Sequence, residues 1–503
     1  MEPGVAANRI MTEPAPADSL DRRRFLSALA AGPAAAAPKG ERPNIILCMA
    51  DDLGWGDTGF NGNTVIRTPH LDSMAAAGIR FSHFYAGGPV CSPTRGTCLT
   101  GRHYFRYGVT HANEGMLPKQ EITLATLLKP LGYSTGHFGK WHLGTLTRDI
   151  KDGRRGGPGN PFYMPPWEHG FDVCFSTEQQ VPTWNPMENQ AFPTRYWEGP
   201  GQSASSNLEG DDSRVIMDRV LPFIRNAVKK TQPFLAVVWF HAPHQQVVAG
   251  PRYRALYAKY DEGRQHYYGC ITAMDEQIGR LRQELRRLGI AENTQFWFAS
   301  DNGPEGMTGE EGTNRGSTGG LRGRKRSLFS GGVNVPALLE WPGRIQAGRR
   351  VDAACSTLDY LPTIREITGA RLPGRPRPID GISLRPLLEG KEFGRPAPLC
   401  FRYVEPRKAM HDAPTVAMVE GRFKLLTHFS EGGEEDLLFD LSTDRGESEN
   451  VLRRYPEAAA SMKKRLREWV ESCKASHSGA DYDEPFTPLE PFPLLTGSWP
   501  DKA

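Results

Sequence analysis

The sequence predicts an α/β protein, a parallel sheet covered by helices on both faces, followed by a small antiparallel sheet with a terminal helix. Three observations lead to it. Apolar runs of strand length recur along the chain, each ending in polar residues. Amphipathic helical spacing lies between the runs. From about residue 399 the texture changes to short apolar runs separated by turns.

Taken in order, residues 22–37 come first, with Arg22-Arg23-Arg24-Phe25-Leu26 leading into an Ala-rich stretch. A basic start, a short apolar stretch and small residues have the shape of an export signal, and the paired arginines before Phe-Leu resemble the bacterial twin-arginine pattern. Residues 44–50 (NIILCMA) read as a fully buried strand ending in Asp51-Asp52. Residues 123–131 read as a short helix, followed by a strand near 134–138 that leads into Gly139-Lys140-Trp141-His142. Residues 151–211, rich in Gly, Pro, Trp and Asn, read as an inserted surface segment lining a cleft. Residues 234–240 (FLAVVWF) end in His241, and 294–300 (TQFWFAS) in Asp301-Asn302-Gly303. Between them Ile271, Met274, Ile278, Leu281 and Leu285 mark a helix stopped by Gly289. The runs LCFRY, TVAMV, FKLLTHF and LLFDL predict the small sheet, and 456–474 a last helix with Met462, Leu466 and Trp469 inward. The expected organisation is a leader over 1–40, a catalytic domain over 41–395 carrying the insert, and a C-terminal subdomain over 396–503.

The 503 residues carry 61 Lys+Arg against 58 Asp+Glu, a net charge of +3. With no basic tail or strongly basic domain, a dedicated nucleic-acid binder is excluded as a class. No apolar run reaches the ~20 residues of a membrane span, so no transmembrane anchor is expected. The eight cysteines contain no CxxC pair, which argues against a disulfide framework or a zinc site.

In parallel α/β sheets the ligand sits beyond the carboxyl ends of the strands. Four strand ends bring polar groups there, namely Asp51/Asp52, Lys140/His142, His241 and Asp301/Asn302. The carboxylates and the amide are hard oxygen donors, suited to Ca²⁺ or Mg²⁺ rather than zinc. Cys91 follows a Gly/Pro loop, with Arg95 placed to lower its pKa. On these residues alone it is a reactive thiol or a plain buried cysteine. His70, His103 and His111 read as surface or packing histidines.

Cys91-Ser92-Pro93-Thr94-Arg95, followed by Gly96 and Thr100-Gly101, resembles the signature of the type I sulfatases of the alkaline phosphatase superfamily. Further motifs of that family follow in order: Asn44-Ile45-Ile46 with Asp51-Asp52-Leu53-Gly54, Gly139-Lys140-Trp141-His142-Leu143-Gly144, His241-Ala242-Pro243-His244, Ser300-Asp301-Asn302-Gly303 and Leu321-Arg322-Gly323-Arg324-Lys325. The end, Leu438-Phe439-Asp440-Leu441 with Asn450-Val451, also resembles the family. The chain departs from the pattern at Arg326, where the family has Gly, and at Ser330-Gly331-Gly332-Val333-Asn334, where it has Glu-Gly-Gly-x-Arg.

The resemblance implies an alkaline-phosphatase-like fold, with a large mixed, mostly parallel sheet sandwiched by helices. It implies that Cys91 is oxidised to formylglycine by a maturation enzyme. The hydrated residue is a geminal diol, one hydroxyl attacking sulfur and the other expelling sulfate by C–O cleavage. Asp51, Asp52, Asp301 and Asn302 would hold Ca²⁺, or Mg²⁺ on the same ligands, with residue 91 completing the shell. Arg95 would orient the diol, Lys140 and Lys325 would grip the sulfate oxygens, and His142 would take the diol proton. His241 would meet the ester oxygen and, with Lys325, protonate the leaving alcohol. His244 matches a family position near the substrate, or is structural.

The expected function is thus hydrolysis of a sulfate ester on a carbohydrate by a chain passed through the twin-arginine export machinery to the bacterial periplasm or beyond. Trp167, Trp184, Tyr196 and Trp197 of the insert offer faces for a sugar, or form local core. A phosphoesterase or phosphonate monoester hydrolase of the same superfamily, and a silent protein that binds sulfated glycan, are the alternatives.

Overall fold

Residues 44–50 are buried along their whole length, and as β1 (Asn44–Ala50) they alternate between two cores. Ile45, Leu47 and Met49 join Cys98, Leu99, Tyr360 and Leu361 on one face of the sheet. Ile46, Cys48 and Ala50 join Val215, Ile216, Ile271 and Met274 on the other. A strand covered on both faces needs apolar residues at every position, which is why this run lacks polar alternation. The computed structural model describes residues 42–306, 316–374, 376–404, 415–428, 436–489 and 492. The expected export signal over 1–40 lies outside the described residues.

The other strands are β2 (Ile79–Phe81), β3 (Phe84–Tyr85), β4 (Ser134–Lys140), β5 (Val173–Thr177), β6 (Trp197–Gly199), β7 (Gln202–Ser203), β8 (Phe234–Trp239) and β9 (Thr294–Ser300). They continue with β10 (Ala337–Glu340), β11 (Arg349–Val351), β12 (Cys355–Ser356), β13 (Leu399–Arg402), β14 (Val416–Glu420), β15 (Phe423–Thr427) and β16 (Leu437–Asp440). The main sheet has the order β11-β2-β10-β9-β1-β8-β4-β5-β6-β7. Its centre, β9-β1-β8-β4-β5, is parallel throughout, while β10, β6 and β7 pair antiparallel. The sheet is therefore mixed and mostly parallel, as expected.

Helices Cys91–Thr100, Leu124–Leu128 and Tyr360–Thr368 supply the first core, and Pro69–Ala77, Asp212–Lys229 and Glu262–Arg287 the second. Shortly after Glu262–Arg287 the chain turns at Gly289, where φ is +70°. In the small sheet β13-β14-β15-β16 one face, with Phe401, Val419 and Leu426, packs on Tyr85, Leu328, Phe329 and Val333 of the main domain. The other face packs on Met462, Leu466 and Val470 of helix Pro456–His477.

The expectation for residues 151–211 requires correction. β5 lies inside that segment and extends the parallel block, pairing from Gly136↔Val173 to Lys140↔Thr177. Five residues between loops are too few to show a period, so the strand is set by its neighbour. Of the four aromatic residues named from the segment, Tyr196 and Trp197 are core, while Trp167 and Trp184 are half-buried. Tyr196 stacks on Phe175 at 4.0 Å, and the buried Trp197 donates its indole N–H to Asp152 at 3.3 Å. Trp184 lies against Gly250, and Trp167 packs on the first core.

Candidate active site

The central strands end in register because backbone pairing continues past them. Asp51 N donates to Ala242 O at 3.0 Å, Phe240 N to Met49 O at 2.9 Å and Asp301 N to Ala50 O at 3.1 Å. Asp52 then turns into the left-handed region, φ +66°, and its amide donates to Asp301 Oδ1 at 3.1 Å. Beyond β4, Trp141 N and His142 N reach Thr177 O and Glu178 O at 2.9 and 3.1 Å. The predicted convergence of strand ends is present.

Helix Cys91–Thr100 begins at this edge. Val90 before it is extended (φ −148°), Gly101 after it is left-handed (φ +66°), and all ten helical residues are buried. Gly96 is required by contact, since a Cβ there would lie 2.4 Å from Tyr107 Oη. Cys91 is thus the first residue of a helix whose free N–H groups favour negative charge. Of the two readings of its thiol, the buried cysteine is the one that fits. Burial pushes its pKa up, with Lys140 and Lys325 pulling the other way, so the proximity of Arg95 does not yield a thiolate.

Cations and carboxylates interlock around Cys91. Lys140 Nζ donates to Asp51 Oδ2 at 2.6 Å. Arg95 donates to Asp301 Oδ2 at 2.6 Å and to Lys140 O at 2.9 Å, and its Nη2 lies 3.3 Å from Asp51. Lys325 Nζ binds both oxygens of Asp52, at 2.6 and 2.7 Å, and Asn302 Nδ2 donates to Asp52 Oδ1 at 2.6 Å. Burial opposes ionisation of Asp51, but Lys140, His244, Arg95 and Lys325 hold its carboxyl well below the usual carboxylate range. Burial and then the charge of Asp51 push Asp301 up, to about 7. Three cations face three carboxylates here, so a divalent cation leaves the cluster positive and ready for an anion.

The residues fit such a cation. Asp51 Oδ1 and Asn302 Oδ1 are buried acceptors with no hydrogen-bond donor, and the surrounding donors are hard oxygens. Ligand atoms of Asp51, Asp52 and His244 lie within 4.8 Å of one another.

The histidines divide in a way the sequence did not show. His142 is left-handed (φ +56°) and buried, and its Nε2 meets Asn113 Oδ1 at 3.0 Å. With Nε2–H donating to Asn113, Nδ1 is the unprotonated nitrogen, and it has no hydrogen-bond partner among the described residues. Burial, then Lys140, Arg155 and Arg95, hold its pKa well below the usual value, keeping the ring neutral. His241 does not reach the ester oxygen as expected. It is fully buried, with Nδ1 2.8 Å from Asp212 Oδ2 and Nε2 2.8 Å from Thr177 Oγ1, so neither nitrogen is left for substrate. His244, three residues on, is the histidine at the site, its Nε2 3.6 Å from Asp52 Oδ2. His103 is a packing histidine, 0% exposed and accepting from Phe105 N.

His241→Ala strands Asp212 and Thr177 in the interior and is expected to lower stability by about 1–3 kcal/mol. His244→Ala is expected to leave the melting temperature unchanged and to lower kcat/KM by about 10²–10³. Thermal melts and steady-state kinetics on the two variants check this, and the reverse pattern would return the substrate role to His241.

Sequence reasoning missed Asp212, Thr177 and Asn113, which orient the histidines from other elements, and Glu305, whose carboxylate lies 3.5 Å from Lys325 and pairs with Arg326. The acidic character of Glu305, four residues beyond Asp301, was the one available signal.

The family model described as Sulfatase matches residues 43–370, and one described as N-sulphoglucosamine sulphohydrolase, C-terminal, matches 323–474. The chain is similar to arylsulfatase A of Bos taurus, 33% identical over 499 residues, covering 90% of this chain and 91% of that protein. It is also similar to N-acetylgalactosamine-6-sulfatase of Canis lupus familiaris, 33% identical over 392 residues, covering 74% of this chain and 70% of the other. Among solved structures, Ps i-CgsB in complex with k-i-k-neocarrahexaose shares the fold. Its TM-score is 0.73 at 24% identity, over 87% of this chain and 94% of that one.

Proposed function

Since this chain belongs to the sulfatase family and is a sulfuric ester hydrolase, we propose that it removes sulfate from a sulfated carbohydrate, using a formylglycine made from Cys91. One observation carries the reading of the site. Arg95, Lys140 and Lys325 each hold a carboxylate of the Asp51–Asp52–Asp301 cluster, beside the helix start that bears Cys91. The carbohydrate part is supported by the N-acetylgalactosamine-6-sulfatase relative and by the matching C-terminal family model.

The hydrated formylglycine supplies one hydroxyl for attack on sulfur and a second that lets the residue return to the aldehyde as sulfate leaves. The divalent cation, calcium in this reading, supplies Lewis acidity. Asp51, Asp52, Asp301, Asn302 and residue 91 are the residues that would hold it. Lys140 and Lys325 place ammonium groups where negative charge grows on the sulfate oxygens. Arg95 fixes Asp301 and the end of β4, and so sets Lys140. His142 takes a proton at Nδ1, its ring held by Asn113. His244 takes the place beside the ester oxygen that the sequence assigned to His241. Its Nδ1 is turned to Gln245 O at 2.6 Å, so Nε2 faces the site; burial and then Lys325 lower its pKa to about 4, and it donates to the leaving oxygen once the charge of bound sulfate raises that value. The residue assignments and the three-part organisation, 1–40, 41–395 and 396–503, belong to the same proposal, as does export through the twin-arginine route to the periplasm. Among the described residues no helix is long and apolar enough to cross a membrane.

The test is a side-by-side assay of the sulfate and phosphate esters of one phenol, then of sulfated oligosaccharides, with protein matured in a host that makes formylglycine. The sulfate ester is expected to be favoured, with activity lost on chelation and restored by calcium. Faster turnover of the phosphate ester, or of a phosphonate monoester, would move the reading to the phosphoesterases. Sulfate release confined to small aryl esters would remove the carbohydrate part.

A further inference from the structure

The buried pair of Lys424 and Glu447 lies outside the reacting groups, yet hydrogen bonds join it to Ser330, whose turn contacts the backbone next to Asn302. Both side chains are 0% exposed, and Lys424 Nζ meets Glu447 Oε1 at 2.6 Å. Glu447 Oε2 accepts from the Ser330 backbone N–H at 2.6 Å, and Lys424 Nζ reaches Ser330 Oγ at 3.2 Å. Ser330 opens the single-turn helix Ser330–Val333. From that turn Gly331 N donates to Arg322 O at 2.6 Å, and Gly332 O accepts from Gly303 N at 2.9 Å. A Cβ on Gly303 would lie 1.8 Å from Gly331 O, so the backbone after Asn302 rests directly on the glycine pair. One loop therefore touches both the end of β9 that carries Asn302 and the segment that leads to Lys325.

The same region holds the departures from the family pattern, Ser330 for Glu and Asn334 for Arg. A carboxylate and a guanidinium reach these two residues' surroundings from the turn after β16. The Glu447 carboxylate meets Ser330, and Arg445 donates to Ser82 O at 2.8 Å, the carbonyl that Asn334 Nδ2 reaches at 3.4 Å. Glu447 has a φ of +57°, which few non-glycine residues adopt and which its contacts on both sides maintain.

We infer that the C-terminal subdomain is a working part of the site, with Glu447 a positioning residue that, through Ser330, holds the glycine loop setting Asn302 and Lys325. The inference rests on the proposed roles of those two residues. A buried ion pair is weak support for stability, whereas a shift of about 1 Å in a catalytic group costs on the order of 100-fold in rate.

The test uses the full chain and neutral double variants, so that no buried charge is left alone. Glu447→Gln/Lys424→Met keeps an acceptor for Ser330 N–H and is expected to stay close to wild type. Glu447→Ala/Lys424→Met removes the acceptor and is expected to lower kcat/KM by about 10- to 100-fold, with faster amide hydrogen exchange at Gly303 and Gly331. Equal kinetics and equal exchange in the two doubles would overturn the inference. Ser330→Pro approaches from the other side and covers the case in which the alanine double does not fold. It deletes the same N–H at the first helical position, where proline is tolerated and where Phe329 before it is already extended (ψ 160°). It is expected to reproduce the loss, and wild-type exchange and kinetics in this variant would overturn the inference by themselves. Lys325→Ala separates the two readings. Full activity there would remove the proposed role of Lys325, while the exchange measurement still judges the loop.

Discussion

Cys91→Ala is expected to lower turnover of an aryl sulfate by on the order of 10⁴–10⁶ while the fold survives. The loss is expected to be large because, in the proposed mechanism, residue 91 supplies the nucleophile and the surrounding groups have no substitute for it. Burial pushes the thiol pKa up, so an unmodified Cys91 offers little thiolate at neutral pH, and the proposed conversion to the aldehyde would supply the missing reactivity. The fold survives because only a sulfur atom is removed from a buried helix start, at about 1 kcal/mol. Peptide mass spectrometry across residue 91 of active wild-type protein is expected to find the aldehyde or its hydrate. An unmodified thiol in fully active protein, or full activity of the alanine variant, would withdraw the nucleophile and the roles built around it. An unmodified thiol in inactive native protein would leave a glycan-binding protein as the better reading.

Lys140→Ala combines a catalytic and a structural loss. Lys140 and Asp51 are both 0% exposed and paired at 2.6 Å, and without the ammonium Asp51 retains Arg95, at 3.3 Å, as an ion-pair partner. Removing one member of a buried pair costs about 3–5 kcal/mol, and losing a donor to developing charge costs about 10²–10³ in kcat. The stability part depends on conditions. In the wild type the folded Asp51 pKa is depressed, so its contribution is present above the unfolded value and is lost as pH falls through the folded one. In Lys140→Ala that margin shrinks, and added calcium is expected to recover part of the stability by occupying the vacated electrostatic role. Denaturant melts with calcium and with chelator, run beside kinetics, check both parts. Retained activity with lowered stability would make Lys140 a counter-ion and nothing more.

Much of this site was legible in the chain because residue type and position coincide there. Asp51 and Asp301 each end an apolar run and Lys140 follows a strand expected at 134–138, and in a parallel sheet the carboxyl ends lie on one side. The signature residues from Cys91 to Arg95 were legible by resemblance alone. The histidines of 241–244 were not separable. Both lie in one loop, and which of them faces the carboxylates is set by Asp212 and Thr177, whose side chains capture His241 from a helix and a strand end distant in sequence.

The sequence by itself determined the two-faced sheet, the order of its chemistry-bearing ends and the set of hard donors, because burial period and side-chain chemistry are local properties. Packing across the fold settled that β5 belongs to the sheet, that Tyr196 and Trp197 are core, that His244 rather than His241 lies beside the carboxylates, and that Glu447 supplies a carboxylate to Ser330. Each of these depends on which distant group arrives at a hydrogen-bonding atom or an apolar face, and that is fixed by packing across the fold, not by neighbours along the chain.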